Sequence, residues 1–354
     1  MTKKPELATS SYVLLTISSD WNMRLYISYA FTLCFLAFTH LLDARHLDTT
    51  KRVSQYIMHQ YNTDNGLPSA SLATMMQCNN QDLWVGTYSG LVRYDGSRFQ
   101  TYNIDNTPEL GSNSITAICE RDHELWIGTH IGITRYQKHK FYRNHALSEL
   151  NRFNIERFFQ DSKNNLWIST ASNGLFLYDG QKVTQIKESL QIKTPIRTFV
   201  EMPNGQIWLA TEKGEIYTMR GGKLFLKHSE EDTGGDPYLM LASNGTLWVA
   251  CGKGVFTLNQ LGLHPVEGLA SVGYSRHLIE DEFNHIWIAS RNGLFCYSPE
   301  SEKLDGFLVR QGFPQADVLK MIFDHQGSLW VLTYRSGLLQ FTDGIFTTYG
   351  THEG

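Results

Sequence analysis

The sequence predicts an all-β fold: a seven-bladed β-propeller of four-stranded antiparallel blades, preceded by an N-terminal signal or anchor helix. Three observations predict it. The first is a five-residue phrase, Leu83-Trp84-Val85-Gly86-Thr87, whose tryptophan returns at Trp126, Trp167, Trp208, Trp248, Trp287 and Trp330. Successive gaps are 42, 41, 41, 40, 39 and 43 residues, and of the eight tryptophans only Trp21 stands outside the series. A period near forty with one aromatic per repeat and alternating apolar residues around it marks a propeller blade. The second observation is the strand alternation on either side of each tryptophan. The third is a set of tight-turn dipeptides, Asp95-Gly96, Asp179-Gly180, Asn204-Gly205, Asn244-Gly245 and Asp343-Gly344, whose residues tolerate positive φ.

In chain order, residues 1–22 carry no usable pattern and read as unstructured or as a misplaced start, with Met23 an alternative initiator. Residues 25–42 then run eighteen positions without an ionised side chain, between Arg24 and Asp43-Ala44-Arg45. Such a stretch within residues 23–44 reads as a cleaved export signal or a membrane anchor. The expected location is therefore the periplasm, with residues 25–42 as the alternative inner-membrane tether.

The propeller is expected over residues 54–350. Residues 54–62 resemble the outermost strand of a blade whose first three strands are missing. In the first full repeat the strands are expected at residues 72–77, 83–87, 91–94 and 98–102. The remaining six repeats follow the same order, and each tryptophan is expected to pack between neighbouring blades. Residues 345–350 form another outer strand, so seven blades come with one strand too many. Either terminal strand can close the last blade and cover its edge. Residues 351–354 look like the start of a truncated further repeat.

Composition narrows the function. There are 31 basic and 35 acidic residues, for a net charge of −4, which argues against a nucleic-acid partner because phosphate binding needs a cationic excess. The five cysteines, Cys34, Cys78, Cys119, Cys251 and Cys296, lie far apart without a C-x-x-C pair. They read as four buried thiols and one in the leader, with no metal and no cofactor. His59, His139, His228 and His325 are scattered and read as surface residues.

The lead-in at residues 63–68, the LWVGT and LWIGT phrases, and the Gly-Leu-x-x-Tyr-Asp tails at 90–95 and 174–179 resemble the two-component-regulator propeller repeat. That resemblance implies the periplasmic sensor part of a hybrid histidine kinase or a diguanylate cyclase. Its members also carry a second propeller, an immunoglobulin-like sandwich, a membrane helix and an output domain; apart from the alternative anchor at residues 25–42, none of these is read in this sequence. WD40, kelch and sialidase-type signatures do not recur, and no Gly-x-Ser-x-Gly, P-loop or His-Glu-x-x-His motif is present.

Residues that break the repeat on one face of the ring are the candidate site. After each Trp strand the first turn residue is Tyr88, His130, Ala171, Glu212, Gly252, Arg291 or Tyr334, and the next includes Arg335. On the innermost strand one aligned position holds Thr74, Ala117, Arg157, Thr198, Tyr238, His277 and Lys320. The position before it holds Ala73, Thr116, Glu156, Arg197, Pro237, Arg276 and Leu319. The expected ligand contacts are Arg157, Arg197, Arg276, His277, Lys320, Tyr238, Tyr88, His130, Arg291, Tyr334 and Arg335. They form a cationic, aromatic-rimmed mouth opposed by one glutamate and suited to a small acidic or carbohydrate ligand. The bland alternative is a set of charges solvated or paired around a water-filled channel.

The leading functional reading is thus a non-catalytic, extracytoplasmic ligand-sensing propeller of a signal-transduction system, acting with a membrane-bound kinase or cyclase or as a homodimer. One alternative is a propeller lyase or hydrolase using His130, His277, Glu156 and Glu212, which the fold alone does not exclude. Another is a protein-binding platform.

Overall fold

The structure is a computed structural model that describes Leu47 and residues 51–314 and 317–343. The expected leader at 23–44, the residues before it, the strand at 345–350 and the partial repeat at 351–354 lie outside the described residues. Among the described residues no helix is long and apolar enough to cross a membrane.

Seven four-stranded antiparallel sheets follow one another along the chain. Blade 1 contains Leu72–Gln77, Leu83–Thr87, Gly90–Tyr94 and Phe99–Tyr102, within one residue of the expected bounds. The innermost strands of the next blades are Ile115–Arg121, Ile155–Gln160, Ile196–Glu201, Tyr238–Leu241, Ser275–Glu280 and Val318–Phe323. Each touches the next, and that of blade 7 touches that of blade 1, so the ring is closed. Closure uses the amino-terminal strand. Ile57–Tyr61 pairs antiparallel with Leu338–Thr342, Ile57 opposite Thr342 and Tyr61 opposite Leu338. The last blade thereby joins both ends of the domain, which covers an edge that would otherwise be open to pairing.

The interior divides into seven apolar clusters, one per seam. Trp84 packs with Ile115, Ile118 and Ile127 of blade 2, and Trp330 with Leu72, Met75 and Val85 of blade 1. Trp126, Trp167, Trp248 and Trp287 do the same at their seams. In three blades an aspartate six residues upstream fixes the indole: Asp161 accepts from Trp167 Nε1 at 2.9 Å, Asp281 from Trp287 at 2.9 Å, and Asp324 from Trp330 at 2.8 Å. Such a bond offsets the cost of taking the indole N–H out of water, a cost that the Nε1 atoms of Trp126 and Trp248, without a partner among the described residues, leave uncompensated. Trp208 is the exception, half-buried against the cluster between blades 4 and 5.

The rest of the phrase has equally local causes. A Cβ on Gly86 would lie 2.7 Å from Thr74 Cγ2 and 2.9 Å from Ile115 Cγ2 of the neighbouring blade, so the seam leaves no room for one. The threonine that ends the phrase ties the following turn. Thr87 Oγ1 donates to Gly90 O at 2.8 Å and accepts from Ser89 N at 3.0 Å, and Thr129, Thr170 and Thr333 repeat the first contact. On the opposite face, backbone or hydroxyl donors cross between blades: Asn79 to Glu120, Ser162 to Glu201, Ser243 to Glu280 and His325 to Gln77.

Two sequence expectations need correction. Cys78 and Cys251 are buried, but Cys119 and Cys296 are only half-buried, Cys119 because it lines a recess of the channel. His228 is not a free surface residue. Its ring is half-buried 3.7 Å from Asp232, and burial lowers its pKa.

Trp287→Ala removes a ring that is 1% exposed and strands Asp281, at an expected cost of about 3–5 kcal/mol. Trp208→Ala removes a half-buried ring and should lower Tm clearly less. Equal losses in thermal melts of the two variants would contradict the wedge role.

Candidate functional site

The site begins with a backbone irregularity. In six innermost strands the pairing with the Trp strand skips one residue, between Leu72 and Thr74, Ile115 and Ala117, Ile155 and Arg157, Ile196 and Thr198, Ser275 and His277, and Val318 and Lys320. The skipped residues are Ala73, Thr116, Glu156, Arg197, Arg276 and Leu319. Blade 5 reaches a similar result by starting its ladder at Tyr238, directly after Pro237, which has no N–H to donate. A bulge re-aims side chains that would otherwise alternate across the strand. Both members of all seven pairs consequently line one cavity of about 570 Å³ at the mouth of the channel. A second recess of about 330 Å³, lined by Met75, Cys119, Phe323 and others, shares Lys320 and Ile118 with the first.

Of the expected ligand contacts, Arg157, Arg197, Arg276, His277, Lys320, Tyr238, Tyr88 and Tyr334 line the cavity. His130, Arg291 and Arg335 stand outside it. His130 is exposed with its Nε2 3.0 Å from Ser114 Oγ and its ring 6.4 Å from that of Tyr88. Arg291 lies over the Tyr274 ring at 4.2 Å, and Arg335 over Tyr334 at 5.0 Å. The four residues of the lyase alternative divide likewise: Glu156, Glu212 and His277 line the cavity and His130 does not.

The mouth is not opposed by a single glutamate. Arg197 donates from Nε to Asp236 Oδ1 at 2.9 Å and lies 3.4 Å from Glu212 Oε1. Arg276 Nε is 3.2 Å from Asp236 Oδ2 and 2.8 Å from the Tyr274 hydroxyl, which itself donates to Asp236 at 2.8 Å. Asp317 sits 3.9 Å from Arg276 and 3.6 Å from Arg291. Asp236 and Asp317 were missed because both belong to lead-in loops, one or two positions before the bulge. The signal was available as acidic residues immediately upstream of Pro237 and Val318.

Two cations differ from these. Among the described residues neither Arg157 nor Lys320 forms an ion pair. Arg157 Nη1 donates to the backbone oxygen of Glu156 at 2.6 Å and to that of Thr116 at 3.5 Å. Burial and then Arg197 pull its pKa down, while burial pushes the Glu156 carboxyl up. Lys320 is surrounded by the ring yet half-exposed to the channel. Burial, and after it the Arg157 charge, push its pKa from 10.5 down to about 8. His277 is buried against Tyr238, ring centroids 4.2 Å apart, and its Nδ1 has no hydrogen-bond partner among the described residues. Burial first, then Lys320 and Arg157, hold it well below the usual histidine range, so it is neutral at pH 7.

A different cluster lies in blade 6, away from the mouth. Ligand-capable atoms of Asp281, His285 and Cys296 fall within 4.8 Å of one another. Asp281 Oδ2 already accepts from Trp287 and is 3.0 Å from His285 Nδ1. His285 occupies the place of Asn165, whose amide donates to Asp161 in blade 3, so this contact repeats a structural one.

Comparison with known proteins follows the fold. Residues 109–130 match the family model described as Two component regulator propeller. No curated protein matches the chain. Among solved structures it is similar to the extracellular domain described as that of the hybrid two component system BT3049 from B. thetaiotaomicron, at 18% identity and TM-score 0.69, over 82% of this chain and 42% of that one. The corresponding domain of BT4673 from the same organism gives 17% and 0.63, over 81% and 39%. A catalytically inactive virginiamycin B lyase from Staphylococcus aureus with quinupristin gives 11% and 0.61, over 81% and 99%. At these identities the likeness is one of fold, and the chain spans about two fifths of each sensor domain.

The electrostatics predict a pH signature. Because the Lys320 pKa of about 8 is below its ordinary 10.5, the folded chain holds fewer protons than the unfolded chain between those values. Stability from this group therefore rises as pH climbs through that window. Lys320→Met should melt above the wild type at pH 7, and the advantage should shrink between pH 8 and 10. A constant difference across that range would show that Lys320 is not charged against its surroundings.

Proposed function

We propose that this chain, which carries a two-component-regulator propeller repeat, is the ligand-sensing ring of an extracytoplasmic signalling system and binds a small carboxylate-bearing molecule, such as an acidic sugar, at the channel mouth. One observation carries the reading. Arg197, Arg276 and Arg291 are paired with acids of neighbouring blades, whereas among the described residues Arg157 and Lys320 line the same cavity without an ion pair, the Glu156 charge acting on Arg157 without contacting it. A carboxylate placed between them gains charge-assisted hydrogen bonds that the protein itself does not supply. Tyr88 and Tyr334, both exposed at the rim, offer flat surfaces for a sugar ring. A cavity of about 570 Å³ lies within the usual range for a small ligand.

The sensor-domain neighbours support the signalling context, with a membrane-bound kinase or cyclase, or a second copy of the chain, receiving the change. Their extracellular placement supports location outside the cytoplasm. Catalysis is the competing reading, favoured by one pair of facts: neutral His277 and the raised carboxyl of Glu156 line one cavity, and a lyase shares the fold. It requires turnover of a bound ligand, which the sensor reading does not.

Methyl glucuronide, which has no free carbonyl, is expected to raise Tm where methyl glucoside does not. Arg157→Gln should weaken its Kd roughly ten- to hundredfold, the equivalent of one charged hydrogen bond, while Arg335→Ala leaves it nearly unchanged. Equal binding of acidic and neutral glycosides by calorimetry, or an unaltered Kd in Arg157→Gln, would overturn the assignment.

A further inference from the structure

Lys320 offers more than a charge. Its amine faces the mouth cavity and the recess beyond it, has no carboxylate neighbour among the described residues, and sits among Arg157, His277 and Cys119. A lysine enclosed by protein and set beside another cation is partly deprotonated near neutrality, and the free amine is the nucleophile that condenses with carbonyl groups. His277 adds a second, independent observation, since it is 4% exposed, lines the same cavity and leaves Nδ1 without a partner among the described residues.

We propose that Lys320 forms a reversible imine with a carbonyl-bearing carboxylate, a 2-oxo acid or the open-chain aldehyde of an acidic sugar, whose carboxylate is held by Arg157. The inference rests on the anion-binding reading above and narrows its ligand class. The neutral amine nitrogen adds to the carbonyl carbon to give a carbinolamine. Its two hydrogens end on the former carbonyl oxygen, which departs as water and leaves a C=N bond. Nothing is oxidised or reduced. Neutral His277 is placed to relay the proton that the departing oxygen takes up. With a pKa of about 8, roughly a tenth of Lys320 is free amine at pH 7, against well under a thousandth of an ordinary surface lysine. The Arg157 guanidinium makes the site selective, because a planar donor pair fits a carboxylate and gains nothing from an uncharged aldehyde.

The test is reductive trapping on the whole chain. Glyoxylate, pyruvate, glucuronate and acetaldehyde are each added with cyanoborohydride, and modified lysines are located by peptide mass mapping. Lys320 should be alkylated by glyoxylate on the order of tenfold or more faster than any exposed lysine, with a rate that rises through pH 8. Whether pyruvate or glucuronate is trapped faster separates the 2-oxo acid from the sugar aldehyde. Lys320→Met, checked for folding by its melt, should lose the label, and Arg157→Gln should slow glyoxylate several-fold more than acetaldehyde, because both lose the charge that helps lower the Lys320 pKa and only glyoxylate loses its carboxylate partner. Labelling of Lys320 no faster than surface lysines overturns the proposal, as does acetaldehyde reacting as fast as glyoxylate. If methyl glucuronide binds while Lys320 stays unlabelled, the imine fails and anion binding stands. If neither occurs, both fail.

Discussion

The structure depends on the wedge of one indole between each pair of neighbouring sheets. A four-stranded sheet has two faces and cannot bury either alone. Seven of them bury both faces only by stacking in a ring, where each seam is an apolar cluster centred on or flanked by a tryptophan. The indole sets the spacing of the seam, the small residue at Gly86 or Gly128 lets the neighbouring inner strand approach, and the threonine that follows ties the turn. These requirements recur once per blade, which is why the phrase recurs once per forty residues. Pairing of Ile57–Tyr61 with the last blade turns a stack into a closed ring.

Closure has a chemical consequence at the centre. Inner strands from seven blades converge, and the bulge near the start of six of them brings two consecutive side chains per blade to the cavity where a regular strand would offer one. The result is a crowd of ionisable groups in a confined space. Most of the positive charge is answered locally, with Asp236 serving Arg197, Arg276 and the Tyr274 hydroxyl together. Among the described residues Arg157 and Lys320 form no ion pair, and burial beside Arg157 lowers the affinity of Lys320 for its proton. The anion site proposed above rests on that imbalance, at a mouth built from inner strands and threonine-tied turns.

The ring was legible in the sequence because its cause is local and repeated. Trp84 and its six successors, the hairpin dipeptides and the spare strand at residues 54–62 each report a constraint met within one blade or with the next. The membership of the site was legible only in part. Aligning backward from each tryptophan found Glu156, Arg157, Arg197, Tyr238, Arg276, His277 and Lys320, since bulge residues keep a constant offset from the repeat. The turn positions after each Trp strand were a poorer guide: Tyr88 and Tyr334 line the cavity, whereas His130, Arg291 and Arg335 lie against neighbouring aromatic or hydroxyl groups outside it. Asp236 and Asp317 were overlooked because they stand on the lead-in loops just before the aligned positions, outside the inner strand.

The sequence by itself determined the number of blades, their strand order, the seam residues and the small set of positions facing the channel, because each follows from a contact repeated at fixed spacing. Only the tertiary structure decided which charges are spent on one another. Asp236 meets Arg197 and Arg276 across gaps of 39 and 40 residues, and Lys320 meets Arg157 across the ring, so their pairing or its lack depends on closure. Coulombic balance depends on distance in space, and a repeat read along the chain carries the identity of each charge without that distance.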